Sequence, residues 1–180
     1  MVKYSGKEVF LMKKGAVEIE RKFIVKKPSP ELIGELPDYS RSEITQIYIS
    51  SPPGVTHRVR KRVYPDRCEY TETQKIRIDD KSAIEDENEI DCERFNLLSK
   101  SIKEGTRPIV KERYTFRCGA QLFELDIYPE WKESCILEAE IPERSCEVQI
   151  PSFIKVVREV TGYREYSNAA MSISFPEEEK

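Results

Sequence analysis

Five consecutive residues, Glu18-Ile19-Glu20-Arg21-Lys22, set two carboxylates and an ammonium at alternate positions. They lie in an apolar run of Val17, Ile19, Phe23, Ile24 and Val25 that reads as a β-strand. Side chains on a strand alternate faces, so Glu18, Glu20 and Lys22 project the same way. Two acids aimed at one point repel each other unless a cation lies between them. A divalent metal meets that need, and the neighbouring Lys suits a phosphate bound to that metal. The spacing also fits a solvated strand face with an acid–base ladder. What separates the two readings is whether the pattern returns elsewhere.

It returns on strand after strand. Alternation and turn signals predict eight strands, at 17–25, 42–50, 55–64, 69–78, 83–90, 108–117, 121–128 and 135–141. Ser51-Pro52-Pro53-Gly54, Pro65-Asp66, Asp79-Asp80-Lys81 and Cys118-Gly119 supply turns between them. Arg58, Arg60 and Arg62 share one face, as do Thr71, Thr73, Lys75 and Arg77, and Lys111, Arg113, Thr115 and Arg117. Acids align as Glu85, Glu87 and Glu89, as Glu124 and Asp126, and as Glu138 and Glu140. Same-sign ladders are costly unless counter-charges lie across the structure. Closing the sheet with its charged faces inward would gather them around an anion and its metals. The expected fold is therefore mainly β (α+β): an eight-stranded antiparallel barrel with a charged interior and helices packed outside.

Composition agrees with such a fold. Hydrophobic residues make up 38% of the 180 and charged residues 35%, so charge must be housed in ordered structure. With 30 basic and 33 acidic residues the net charge is only −3, which excludes a general nucleic-acid-binding surface. The five cysteines show no Cys-x-x-Cys spacing, which suits reduced thiols in a cytoplasmic protein. No apolar run is long enough to span a membrane or to form a signal peptide. There is no Gly-x-x-x-x-Gly-Lys-Ser/Thr or Gly-x-Gly-x-x-Gly loop. A single histidine, His57, excludes zinc sites of the His-Glu-x-x-His kind, and it alternates away from the Arg58/Arg60 face towards a surface or packing role instead of a triad.

Helices are predicted at 29–36, behind Ser29-Pro30, and at 91–103, capped by Asp91. A third is predicted at 151–161, with Phe153, Ile154, Val157 and Val160 on one stripe. Residues 1–16 read as a basic leader in which Met12 is an alternative start, 17–175 as a single domain, and 176–180 as a solvated acidic tail. Trp131 falls in a loop, as a packing residue.

At this point an ordered set of motifs resembles the CYTH proteins, or triphosphate tunnel metalloenzymes. After Glu18-x-Glu20-x-Lys22 come Gln46-Ile47-Tyr48-Ile49, Arg58-Val59-Arg60, Thr73-Gln74-Lys75 and Glu87-Asn88-Glu89. Lys111-Glu112-Arg113-Tyr114, Glu124-Leu125-Asp126, Leu137-Glu138-Ala139-Glu140, Val160-Thr161-Gly162 and Tyr166-Ser167-Asn168 complete it. The resemblance implies an eight-stranded tunnel that hydrolyses or cyclises triphosphates with Mg²⁺ or Mn²⁺. It implies that Glu20, Glu138 and Glu140 hold the metal bridging the triphosphate. Glu18 and Glu89, with Asp126 or Glu87, would hold a second metal or position the attacking water. Lys22, Arg58, Arg60, Lys75, Lys111 and Arg113 would grip phosphate oxygens, Lys22 also serving catalysis.

Two departures stand out. Glu165 occupies a position that is often basic in relatives, with Arg164 beside it as a substitute, and the leader is long. The branch implied is a triphosphatase acting on inorganic triphosphate, with a small-molecule partner and a monomeric or homodimeric state. An adenylyl cyclase or thiamine triphosphatase of the same family, or a non-catalytic polyphosphate- or nucleotide-binding module, stands as the alternative.

Overall fold

The computed structural model describes residues 16–79, 82–143 and 145–179, with the backbone alone at 16–18 and 82. The expected leader and its Met12 start lie outside the described residues, apart from the backbone of Ala16. All eight expected strands form, with ends within two residues: β1 (Ala16–Lys26), β2 (Ser40–Ile49), β3 (Val55–Val63), β4 (Cys68–Arg77), β5 (Ser82–Glu89), β6 (Ile109–Cys118), β7 (Gln121–Ile127) and β8 (Ser134–Glu140). A ninth, β9 (Val156–Glu159), joins them. The sheet runs β5-β4-β3-β2-β6-β7-β8-β1-β9, and a further β5–β1 pairing brings its two sides together. Every pairing is antiparallel.

The closure depends on β1. One of its edges pairs with β8 from Glu20 to Lys26. The other is divided, Ala16–Ile19 taking β5 and Phe23–Val25 taking β9. That division corrects the helix expected at 151–161. The apolar stripe there is also rich in β-branched residues (Ile154, Val156, Val157, Val160), which favour strands when an edge is on offer. β5 leaves such an edge, β9 fills it, and the Val160 N–H extends the contact to the Lys22 carbonyl at 2.8 Å.

The remaining helices are short: α1 (Pro30–Gly34), α2 (Cys92–Ser99) and α3 (Asn168–Met171), the last preceded by a 3₁₀ turn at Arg164–Tyr166. Asp91 caps α2 by accepting from the Arg94 N–H at 2.7 Å. Ser167 caps α3 through the Ala170 N–H. α2 covers the outer face of β3 and β4, where Phe95 joins Ile49 and Val59 with Tyr70, Ile90 and Leu98. His57 lies on this outer side, its Nε2 2.9 Å from Glu72 Oε1, and Arg94 of α2 holds the other oxygen of Glu72. A larger outer cluster gathers Phe23, Val25, Phe116, Phe123, Leu125 and Leu137 under Ile33 of α1 and Ile154.

A third cluster contains residues from the inward faces themselves: Ile24, Tyr48, Ile109, Tyr128 and Ile136, backed by Trp131, Tyr166 and Met171. The barrel interior is therefore charged over only part of its length, and one end is filled by an ordinary apolar core. Burying these side chains out of water supplies stability that the charged part does not. Trp131 is buried here and its Nε1 donates to the Pro176 carbonyl at 3.0 Å. The chain end beyond Pro176, expected as a solvated tail, is tied down. Glu178 accepts from the N–H groups of Glu133 and Ser134, and Glu179 pairs with Arg158 and accepts from the Tyr166 hydroxyl. Among the described residues, no helix is long and apolar enough to cross a membrane.

Candidate active site

Inside the charged part lies a cavity of about 410 Å³. β1 supplies Glu20 and Lys22, β3 supplies Arg58, Arg60 and Arg62, and β4 supplies Lys75 and Arg77. Glu85 and Glu87 come from β5, Lys111 and Arg113 from β6, Glu124 from β7, and Glu138 and Glu140 from β8. Backbone alternation brings them together. Lys22 stands across from Glu138 and Glu20 across from Glu140 on the β1–β8 ladder, while Glu124 faces Glu138 between β7 and β8.

The charges are not evenly matched. Arg113 is the most heavily engaged: its Nε and Nη2 donate to the two oxygens of Asp126 at 2.6 Å each, Nη2 also reaches Glu138 at 2.8 Å, and Nη1 binds Glu124. Lys111 pairs with Asp126 and Lys22 with Glu138, the latter at 2.8 Å. Burial alone would raise the pKa of Glu138, but Lys22 and Arg113 outweigh it and hold the carboxyl well below its usual range. Burial likewise opposes the ionised form of Asp126, and Arg113 and Lys111 bring it down. Lys111 moves the other way: burial, then Arg113, push its ammonium down to about 8 despite Asp126.

On the opposite wall the arginines are poorly compensated. Arg58 donates to Glu85 at 2.7 Å, whereas Arg60 comes no closer than 3.9 Å to Glu87. Burial, and after it Arg58, lower the Arg60 guanidinium to about 10. Arg62 donates to the neutral hydroxyls of Ser42 and Thr115 at 2.9 and 3.3 Å. Among the described residues, the buried Nε groups of Arg58 and Arg60 and the buried hydroxyl of Thr71 have no hydrogen-bond partner. Buried donors left unsatisfied in this way are costly, and a multiply charged anion would satisfy them.

The acids show the converse imbalance at Glu140, whose near neighbours Glu124 and Glu20 carry the same sign. Burial, then Glu124 and Glu20, raise the pKa of Glu140. Hard carboxylate oxygens that repel one another across a cavity fit Mg²⁺ or Mn²⁺. Among the described residues, no three side chains of the acid, histidine or cysteine type already converge as a preformed metal site. Glu140→Gln should consequently leave the thermal midpoint unchanged or higher. Its folded pKa is raised, so ionising it costs stability as pH climbs through the carboxylate range, and the amide removes that loss. Thermal melts of both proteins at neutral pH check this.

Not every expected residue reaches the cavity. Lys22, Arg58, Arg60, Lys75, Lys111, Arg113, Glu20, Glu138 and Glu140 do. Asp126, expected among the metal ligands, is fully buried beneath the lining with both oxygens held by Lys111 and Arg113. Glu89 is exposed at the end of β5 and does not line the cavity. Arg164 is exposed because the 3₁₀ turn buries Tyr166 instead, and Tyr163 lines the rim in its place. The side chain of Glu18 lies outside the described residues. Alternation had already placed Arg62, Arg77, Glu85 and Glu124 on inward faces, although none was expected as a site residue. Tyr48, Ser167 and Asn168 stood in motifs of the resemblance with no role assigned to them, and Ala169 carried no signal.

The chain folds as a closed antiparallel barrel whose inward faces gather arginines, lysines and glutamates, the tunnel architecture that the resemblance to the CYTH proteins implies. Among solved structures it is similar to the inorganic triphosphatase NE1496, with 27% identity, 89% of this chain and 97% of that chain covered, and a TM-score of 0.57. It shares the fold of the PH1012 protein from Pyrococcus horikoshii OT3, at 22% identity, 71% and 79% coverage and a TM-score of 0.53. No protein-family profile and no curated protein sequence matches the chain.

Proposed function

We propose that this protein hydrolyses a phosphoric anhydride of a small triphosphate, and that inorganic triphosphate is its substrate. The observation that carries the reading is the set of buried, unsatisfied arginine donors facing a cavity otherwise closed by charge. The likeness to the inorganic triphosphatase NE1496 over nearly the whole of both chains supports the same substrate.

Phosphoryl transfer asks a protein mainly for positioning and charge stabilisation. Arg58 and Arg60 would hold phosphoryl oxygens through their free Nε–H groups, with Lys75 and Arg62 further along the same wall. Lys22 and Lys111 would face them from β1 and β6 as point charges. Glu20 and Glu140, with Glu124 beside them, would hold the divalent cation. When bound, Mg²⁺ or Mn²⁺ supplies neutralisation of the phosphoryl oxygens and an acidified water. Glu138 is committed to Lys22 and Arg113, so its contribution is to orient them. Roles for Glu18 and Glu89 in placing the attacking water rest on the family resemblance, and Gln variants test each.

The deciding experiment measures phosphate release from inorganic triphosphate, ATP and thiamine triphosphate with Mg²⁺, Mn²⁺ or EDTA, and assays the ATP sample for cyclic AMP. Metal-dependent release that favours inorganic triphosphate is expected. Glu20→Gln should abolish it with the fold intact. Cyclic AMP formation, or turnover that survives EDTA, would overturn the reading.

A further inference from the structure

Of the five cysteines, Cys135 is buried and Cys118 and Cys146 are half-buried, whereas Cys68 and Cys92 are exposed. The two exposed thiols are also two that the fold brings together. The β4–β5 ladder pairs Thr71 with Glu89. It continues outward through the Ile90 N–H, which donates to the Tyr70 carbonyl at 2.9 Å. The chain stays extended through Asp91, which carries Cys92, the first residue of α2, towards Cys68 at the start of β4. Neighbouring antiparallel strands lie about 4.5–5.5 Å apart between opposed Cα atoms, and a disulfide spans roughly 4.4–6.8 Å, so the open end of this hairpin is within reach of one.

The side chains point the same way. The Tyr70 hydroxyl sits against both thiols, Cys92 and then Cys68, and these contacts raise its pKa. Its ring is fixed against Phe95 of α2 at a centroid distance of 5.2 Å. Asn96 Nδ2 lies 3.4 Å from Cys92 Sγ.

We propose that Cys68 and Cys92 form an oxidation site, closing to an intramolecular disulfide with a two-electron oxidant of the peroxide class. One thiolate attacks a peroxide oxygen, breaking the O–O bond to give a sulfenic acid and, after protonation, water. The second thiol displaces the sulfenic hydroxyl, which leaves as another water. Two thiols lose two electrons and two protons, and hydrogen peroxide takes up both to become two waters. The bond lies at the open end of the β4–β5 hairpin, which carries Lys75, Glu85 and Glu87 into the cavity. It would staple that hairpin to the start of α2 without touching the cavity lining. This inference is independent of the substrate proposed above.

The test is brief peroxide treatment of the native protein, followed by intact mass, peptide mapping and a thermal melt. The expected product has lost the mass of two hydrogen atoms, maps to a Cys68–Cys92 linkage, and melts several degrees higher, the gain vanishing with reductant. Cys68→Ser and Cys92→Ser should each block the mass loss, and each should remain folded because both positions are exposed. A linkage to another cysteine, intermolecular dimers, or sulfinic acid on either thiol without a disulfide would overturn the proposal. So would an unaltered protein.

Discussion

Arg113→Leu should unfold the protein under conditions in which the wild type is stable. It holds Asp126 twice, Glu138 and Glu124. Removing it leaves a fully buried Asp126 with Lys111 and a 3.4 Å contact from the Tyr128 hydroxyl, and Glu138 with Lys22. Breaking one side of a buried ion-pair network typically costs about 3–5 kcal/mol, because the surviving charges keep their desolvation penalty. In a protein of this size that is a fall of roughly 6–20 °C in the thermal midpoint. Urea unfolding followed by tryptophan fluorescence measures it. Leu at both 113 and 126 should recover part of the loss, since an apolar pair removes the stranded carboxylate together with its partner. A loss no smaller in the double variant would mean that Arg113 matters for shape and not for charge. The same network predicts acid sensitivity. Glu138 and Asp126 have depressed folded pKa values, so their contribution is complete above the ordinary carboxylate range and disappears as pH falls through the folded values.

Arg60→Ala should separate binding from stability in the opposite sense. Its charge is held against burial and against Arg58, with a distant carboxylate in return. A guanidinium lowered to about 10 is a cost to folding at neutral pH, so truncation should leave the midpoint unchanged or raise it. Triphosphate binding should fall by roughly 10- to 100-fold, the value of one or two charged hydrogen bonds. Calorimetric titration with triphosphate, paired with a thermal melt, reads both. Weak binding together with a lower midpoint would make Arg60 an ordinary structural residue. Arg58→Ala is a useful contrast: Arg58 also pairs with Glu85, so its loss should affect both quantities.

How the charged interior was legible in the sequence, and where it was not, follows from the geometry of a strand. Alternation fixes which face a side chain takes, and Arg58, Arg60, Glu138 and Glu140 could be placed together from spacing alone. It does not fix depth along the barrel. Glu89 shares its alternation with Glu85 and Glu87 but lies at the strand end, in solvent. Nor does it show which partner takes which oxygen. Asp126 projects inward as expected, yet Arg113 and Lys111 occupy it fully. The charged face also gives way to Ile24, Ile109 and Ile136 at one end, a change visible in the sequence only once these strands are known to be neighbours. β9 was hidden for a different reason: its apolar residues suit a helix stripe equally well, and the edge that selects a strand exists only after β1 has divided its pairing between β5 and β9.

That divided pairing also sets an order of assembly. β1 emerges first from the ribosome, but its neighbours β8 and β9 lie more than a hundred residues further on, and β5 about sixty. The hairpins of the middle of the chain, β2 through β7, can form locally while it waits. An unpaired strand rich in Ile, Val and Phe is prone to find the wrong partner, and distant contacts make closure slow. The first strand made is therefore the last to be seated, and interrupted synthesis would leave the cavity-facing Glu20 on a strand with both edges open.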